Sequence, residues 1–146
     1  VATHDWARVV CAQETHLDAG GWHRASTALR AEGIHGAHSA VGLRPGPLDG
    51  GSERAQGCAI TVAAGVGMAP QPLRPPPDPC FLRRVAFARV PLWTGGPTVC
   101  VASVYGFSGG GLDGRVATES LFEWVVTELV GQPHPWLLAT DANRDP

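Results

Sequence analysis

Apolar residues along the chain fall into short runs separated by polar or glycine- and proline-rich stretches, and the runs differ in period. Arg8–Ala12 (RVVCA), Gly57–Ala63 (GCAITVA), Thr98–Tyr105 (TVCVASVY) and Trp136–Ala139 (WLLA) are brief, apolar and nearly free of charge. That is the signature of buried strands. Arg83–Pro91 (RRVAFARVP) alternates instead, with Val85, Phe87 and Arg89 on one side and Ala86, Ala88 and Val90 on the other. His38–Leu43 is expected to add a further short strand. Two segments carry helical spacing. In Ala19–Glu32, residues Trp22, Ala25, Ala28 and Leu29 would share a face, and Gly33 would end the helix. In Arg115–Val130 the stripe is Val116, Leu121, Trp124, Val125, Glu128 and Leu129, with Gly131 and Pro133 beyond it.

Between these lie loops. Arg44–Gln56 is turn chemistry throughout, and Ala69–Pro79 holds six prolines with no period. The order strand, helix, several strands, helix, strand favours an α/β domain whose sheets are covered by helices.

Composition fits a folded domain. Hydrophobic residues make up 44 % and charged residues 16 % of 146, against the low hydrophobicity and high charge of disordered chains. The formal net charge of −2 leaves no basic footprint of the kind a nonspecific nucleic-acid binder carries. A nuclease that recruits metal ions is still allowed, since the ions bring positive charge. The four cysteines have no CxxC spacing, which argues against zinc and for buried free thiols. His35 and His38, three apart without a helical pattern, are a poor metal pair. No signal peptide or twenty-residue apolar span is present, and an intracellular, including nuclear, location is expected with no membrane partner.

Chemistry concentrates where strands end, because loops at strand ends are where α/β sheets collect ligands. Glu14 follows the first strand and offers the hard oxygen ligand that Mg²⁺ or Mn²⁺ prefers. His16 lies two residues on. Asp141 and Asn143 follow the last strand, two apart, so an extended chain would project both to one side. A carboxylate there can orient or deprotonate water, and an amide can donate to a phosphate oxygen. Tyr105, the only tyrosine, ends the strongest strand. Each of these has a plain alternative: a surface glutamate, an Asx turn, an amphipathic core tyrosine.

Taken in order, VCAQETHL, QGCAITV, VCVASVY and WLLATDANRDP resemble the endonuclease/exonuclease/phosphatase (DNase I-like) superfamily, with the QETHL wording nearest the endonuclease domains of non-LTR retrotransposons. The resemblance covers nearly the whole chain but only part of a family domain, so residues 1–146 are expected to be one domain incomplete at both ends. It implies a partial four-layer α/β sandwich, two mixed β-sheets flanked by helices. It also implies a metal-dependent phosphodiesterase, here a retroelement DNA endonuclease with DNA as partner and Mg²⁺ or Mn²⁺ as cofactor. Glu14 would hold the metal, Asp141 the water, and Asn143 and Tyr105 the phosphate oxygens. Arg144 and His16 would contact phosphate or nucleic acid. No protein partner is inferable.

The sequence departs from the family in three places. Thr140 stands where the family motif has glycine, and neither an upstream Asn strand nor a Ser-Asp-His motif occurs within the 146 residues. Impaired activity is the expectation, because residues that act as a unit fail together. Two alternatives are a noncatalytic relic or nucleic-acid-binding fragment, and a small-molecule (inositol or lipid) phosphoesterase of the same fold.

Overall fold

The computed structural model describes residues 9–39, 57–63, 65–70, 73–93, 95–107 and 112–142. The elements in chain order are β1 (Val9–Ala12), α1 (Ala19–Ala31), β2 (His35–His38), β3 (Ala59–Val62), β4 (Ala69–Pro70), β5 (Val85–Pro91), β6 (Thr98–Tyr105), α2 (Leu112–Val130) and β7 (Trp136–Asp141). They build two sheets. One is antiparallel with order β1-β3-β2, and the other is mixed with order β4-β5-β6-β7, β6 and β7 being parallel across the α2 crossover.

Strand period two sorts the side chains into layers. Ala86, Ala88, Val90, Val101 and Tyr105 turn from the mixed sheet toward Cys58, Ile60 and Val62 of the antiparallel one, forming the core between sheets. The alternate positions Val85, Phe87, Cys100, Ala102 and Val104 meet Leu121, Trp124, Val125 and Leu129 of α2. On the outer side of the antiparallel sheet, Trp22 of α1 stacks on His38 of β2 at 4.9 Å between ring centroids. The order of layers is α1, antiparallel sheet, mixed sheet, α2. This is the four-layer α/β arrangement expected, except that only one of the two sheets is mixed among the described residues.

Local chemistry sets the boundaries. Asp18 caps α1 by accepting from the Gly21 amide at 2.6 Å, and Gly33 follows the helix at φ +74. Several expected details differ. In α1 the inward position is Ser26, whose hydroxyl donates to the His23 carbonyl at 3.0 Å, whereas Ala28 is exposed. In α2, which begins at Leu112 rather than Arg115, Val116 is 53 % exposed and Ala117 and Thr118 face inward in its place, the phase being set by the sheet the helix covers. The second strand runs over His35–His38 rather than starting at His38; residues 40–43 lie outside the described residues. The fifth begins at Val85 because Pro79–Arg83 forms a 3-10 turn capped by Asp78. Within the proline-rich stretch, Ala69–Pro70 still pairs with β5 as an edge, the one place in a sheet that tolerates proline. The last strand is half open rather than buried, with Trp136 47 % and Leu137 52 % exposed, and it extends through Thr140 and Asp141.

Candidate functional site

β1, β6 and β7 end at the same side of the molecule. The end of β1 is tied to β6 by two bonds: Gln13 Nε2 donates to Ser103 Oγ at 2.9 Å, and Ser103 Oγ donates to the Ala12 carbonyl at 3.2 Å. The chain then turns sharply. Glu14 has φ +48 and His16 has φ +50, the only non-glycine residues with positive φ among those described. Such a backbone costs about 1–3 kcal/mol per residue and persists only where its surroundings impose it. Here it delivers the exposed Glu14 carboxylate to the hydroxyl of Tyr105, which donates to Oε1.

Tyr105 is 1 % exposed, its ring in the core between the sheets and its hydroxyl at the rim. The strand end that carries it rests on Arg84. The Tyr105 amide donates to the Arg84 carbonyl at 2.9 Å, and Arg84 Nη1 donates to the Gly106 carbonyl at 2.6 Å. The same guanidinium lies 3.8 Å from the Phe107 ring centroid and 5.4 Å from that of Tyr105.

Asp141 is the register partner of Tyr105 in the parallel pair, and its carbonyl accepts from the Gly106 amide at 2.7 Å. Registered residues of neighbouring strands point to the same face. Leu138 of β7 packs on the α2 side, so Asp141, three residues on, faces the antiparallel sheet, as Tyr105 does. The close approach expected of a glycine at position 140 is made from the other strand. A Cβ on Gly106 would stand 2.5 Å from the Ala142 carbonyl oxygen. The glycine at this junction is thus the residue directly after β6, and Thr140 lies within β7.

Of the residues singled out in the sequence, Glu14 meets Tyr105 directly and Asp141 is the backbone register partner of Tyr105, with exposed His16 two residues from Glu14. Asn143 and Arg144 lie outside the described residues. Sequence reasoning passed over Arg84, Gln13 and Ser103, which hold the strand ends. The one available signal was the Arg83-Arg84 pair set directly before an apolar strand.

The donors suit a hard cation. Glu14, bonded to Tyr105, and Asp141, registered with Tyr105, offer carboxylates at neighbouring strand ends, and Mg²⁺ takes one or two carboxylates and completes its shell with water and phosphate oxygens. No group of three or more His, Cys, Asp or Glu able to hold a metal occurs among the described residues, so the arrangement is unlike a zinc cage.

This architecture recurs in solved structures. The catalytic domain of human Nocturnin, solved with a bound sulfate anion, superposes with a TM-score of 0.62 at 16 % identity, over 95 % of this chain and 52 % of that one. ANGEL2, a 2',3'-cyclic phosphatase solved in complex with adenosine-2',3'-vanadate, gives 0.63 at 18 %, over 95 % of this chain and 40 % of that one. The chain has the endonuclease/exonuclease/phosphatase, or DNase I-like, fold. It spans about half the length or less of these DNase I-like structures. No family model and no curated protein matches the sequence. At this level of identity the likeness establishes the DNase I-like architecture, and the chemistry has to be argued from the residues.

Proposed function

We propose that this chain is a metal-dependent phosphodiesterase-type domain whose reaction centre is the rim shared by Glu14, Tyr105 and Asp141. The observation that carries the reading is the contact of the Glu14 carboxylate with the Tyr105 hydroxyl beside the registered Asp141. It joins residues 91 apart in sequence at a point where the backbone is strained. Glu14, with Asp141 beside it, would hold Mg²⁺ or Mn²⁺; such an ion neutralises charge that builds up on a phosphoryl group. Tyr105, its ring fixed in the core, donates its one hydroxyl hydrogen to Glu14, and would turn it to a phosphate oxygen once a cation takes that carboxylate. Asp141 is the acceptor placed to orient or deprotonate an attacking water. Asn143, two residues on, is assigned to the phosphate as a donor. Arg144 and His16 are assigned to outer phosphate contacts.

The substrate favoured by the QETHL wording is DNA, in the setting of a retroelement endonuclease, and a nuclear location follows from that reading alone. A second substrate class is favoured by a specific observation. ANGEL2, with the same architecture, is a 2',3'-cyclic phosphatase, which makes nucleotide phosphates a direct competitor to duplex DNA. The 146 residues contain no Ser-Asp-His motif, so the polypeptide is proposed to bind metal and phosphate while turning over little.

The test has two arms. Calorimetric titration with Mn²⁺ should show binding that Glu14→Ala abolishes, and wild-type protein that binds no Mn²⁺ would overturn the assignment. Nicking of supercoiled DNA and hydrolysis of adenosine 2',3'-cyclic phosphate should both stay near background. A metal-dependent rate that vanishes in Glu14→Ala would uphold the site and refute the impairment.

A further inference from the structure

The strained turn that presents Glu14 is held at its middle residue. Thr15 lies between the two left-handed positions and has two long-range anchors. Its amide donates to the Gly57 carbonyl at 3.1 Å, and its hydroxyl meets Nε2 of His38 at 2.7 Å. The tautomer of His38 follows from its other nitrogen. Nδ1 lies 2.8 Å from the Ser39 carbonyl oxygen, which can only accept, so Nδ1 carries the hydrogen and Nε2 of the neutral ring accepts from Thr15.

The imidazole is itself fixed. Its face stacks on Trp22 with an interplanar angle of 29°. The following residue is locked to the one just before β3: the Ser39 amide donates to the Cys58 carbonyl at 2.7 Å, and the Cys58 amide donates to Ser39 Oγ at 2.9 Å. Two glycines make room for the assembly. A Cβ on Gly57 would fall 2.4 Å from Thr15 Oγ1 and 3.0 Å from the His38 ring, and one on Gly36 would fall 2.8 Å from the Trp22 ring. A continuous line of contact therefore runs from α1 through Trp22, His38 and Thr15 to Glu14.

We propose that His38 is a positioning residue: through Thr15 it holds Glu14 in the left-handed conformation that presents its carboxylate to Tyr105 and to a divalent cation. The metal half of this statement rests on the reading of Glu14 given above. A residue that pre-orders a ligand lowers the cost of binding, and losing such outer partners weakens metal affinity by about 10–100-fold. The environment keeps the imidazole in its accepting form. Burial pushes the His38 pKa down, the Ser39 bond opposes this, and the charge of Arg83 adds to the lowering. The competing account is that the Thr15–His38 bond merely satisfies a half-buried ring.

Four variants separate the two accounts. His38→Phe keeps the stack on Trp22 and removes the acceptor. Thr15→Val keeps the shape and removes the donor. His38→Gln returns an acceptor without the ring, and the double variant His38→Phe/Thr15→Val tests coupling. Mn²⁺ titration is expected to show affinity about tenfold weaker in each of the first two, with the double variant no worse than either. Most of the loss should be recovered in His38→Gln. Wild-type affinity in both His38→Phe and Thr15→Val would overturn the proposal, as would a His38→Gln variant no better than His38→Phe. The second readout needs no metal. Exchange protection of the Thr15 amide, and the backbone chemical shifts of Glu14 and His16, should be lost in His38→Phe and Thr15→Val and kept in His38→Gln. Should the wild type bind no Mn²⁺, the metal assignment falls, and these signals alone decide the clamp; unchanged protection in the variants would then reject it.

Discussion

Arg84 keeps a charged guanidinium at 1 % exposure by sharing it between the Gly106 carbonyl and two aromatic faces. Charge is tolerated in a core only when its donors are used. Replacing Arg84 with Met would preserve much of the volume and leave the Gly106 carbonyl short of its donor. We expect a loss of about 3 kcal/mol in urea unfolding, together with loosening of the Tyr105 strand end. Directly behind it, the Cys58 thiol donates to the Arg84 carbonyl at 3.1 Å. Burial pushes that thiol from 9.0 up to about 12, against opposing pulls from the Arg84 charge and a Ser103 hydrogen bond. A raised pKa in the folded state favours folding fully at pH values below the unfolded thiol's own. That contribution is lost as pH rises from there through the folded value. Unfolding free energy should therefore fall as pH climbs between about 9 and 12. Urea titrations across that window should show a shallower fall in Cys58→Ala. Burial also raises Cys11 and Cys100, so a smaller slope should persist in that variant.

Among the elements, the junction of β6 and β7 is the most demanding. Gly106 lets the Ala142 carbonyl approach to where a Cβ would be only 2.5 Å away. Gly106→Ala has backbone rather than a flexible side chain to displace, and should cost about 1–3 kcal/mol. The lower melting temperature should come with altered chemical shifts at Asp141. Much of this level was legible beforehand. TVCVASVY announced β6 because it is long, β-branched and uncharged, and its alternation placed Tyr105 opposite Val104. Asp141 was found because a carboxylate directly after WLLA stands where a strand opens to solvent. What was not legible depends on pairing across distance. His38 acquires its role only because β2 lies beside β3 and brings it against Thr15, 23 residues away. Gly57 opens the apolar run GCAITVA in the sequence, yet it stands before β3 at φ +140, crowded by Thr15. Ser26 and Thr118 point inward for a similar reason: helix phase is set by the facing layer, and the apolar count alone favoured Ala28 and Val116.

At the scale of the whole molecule, each sheet ends in two outer strands among the described residues, and those of the mixed sheet are β4 and β7. β7 is an outer strand with one neighbour, and Trp136 and Leu137 are about half exposed on it. An accessible strand edge with large apolar side chains is a template for pairing with another chain. The 146-residue polypeptide should accordingly associate as its concentration rises, and Leu137→Lys should suppress this. Sedimentation velocity checks the expectation, and a monodisperse wild type at every concentration would defeat it. No helix among the described residues is long and apolar enough to cross a membrane.

The bond between Glu14 and Tyr105 spans 91 positions of sequence. A ribosome adding about 5–20 residues per second needs roughly 5–18 s to travel that interval. Through all of it the carboxylate has already emerged while its phenol partner has yet to be translated. β5 precedes Tyr105 and can already cover β3, but the Glu14 carboxylate must wait for this partner until the tyrosine has been made. The rim contact therefore cannot form until synthesis has passed the end of β6.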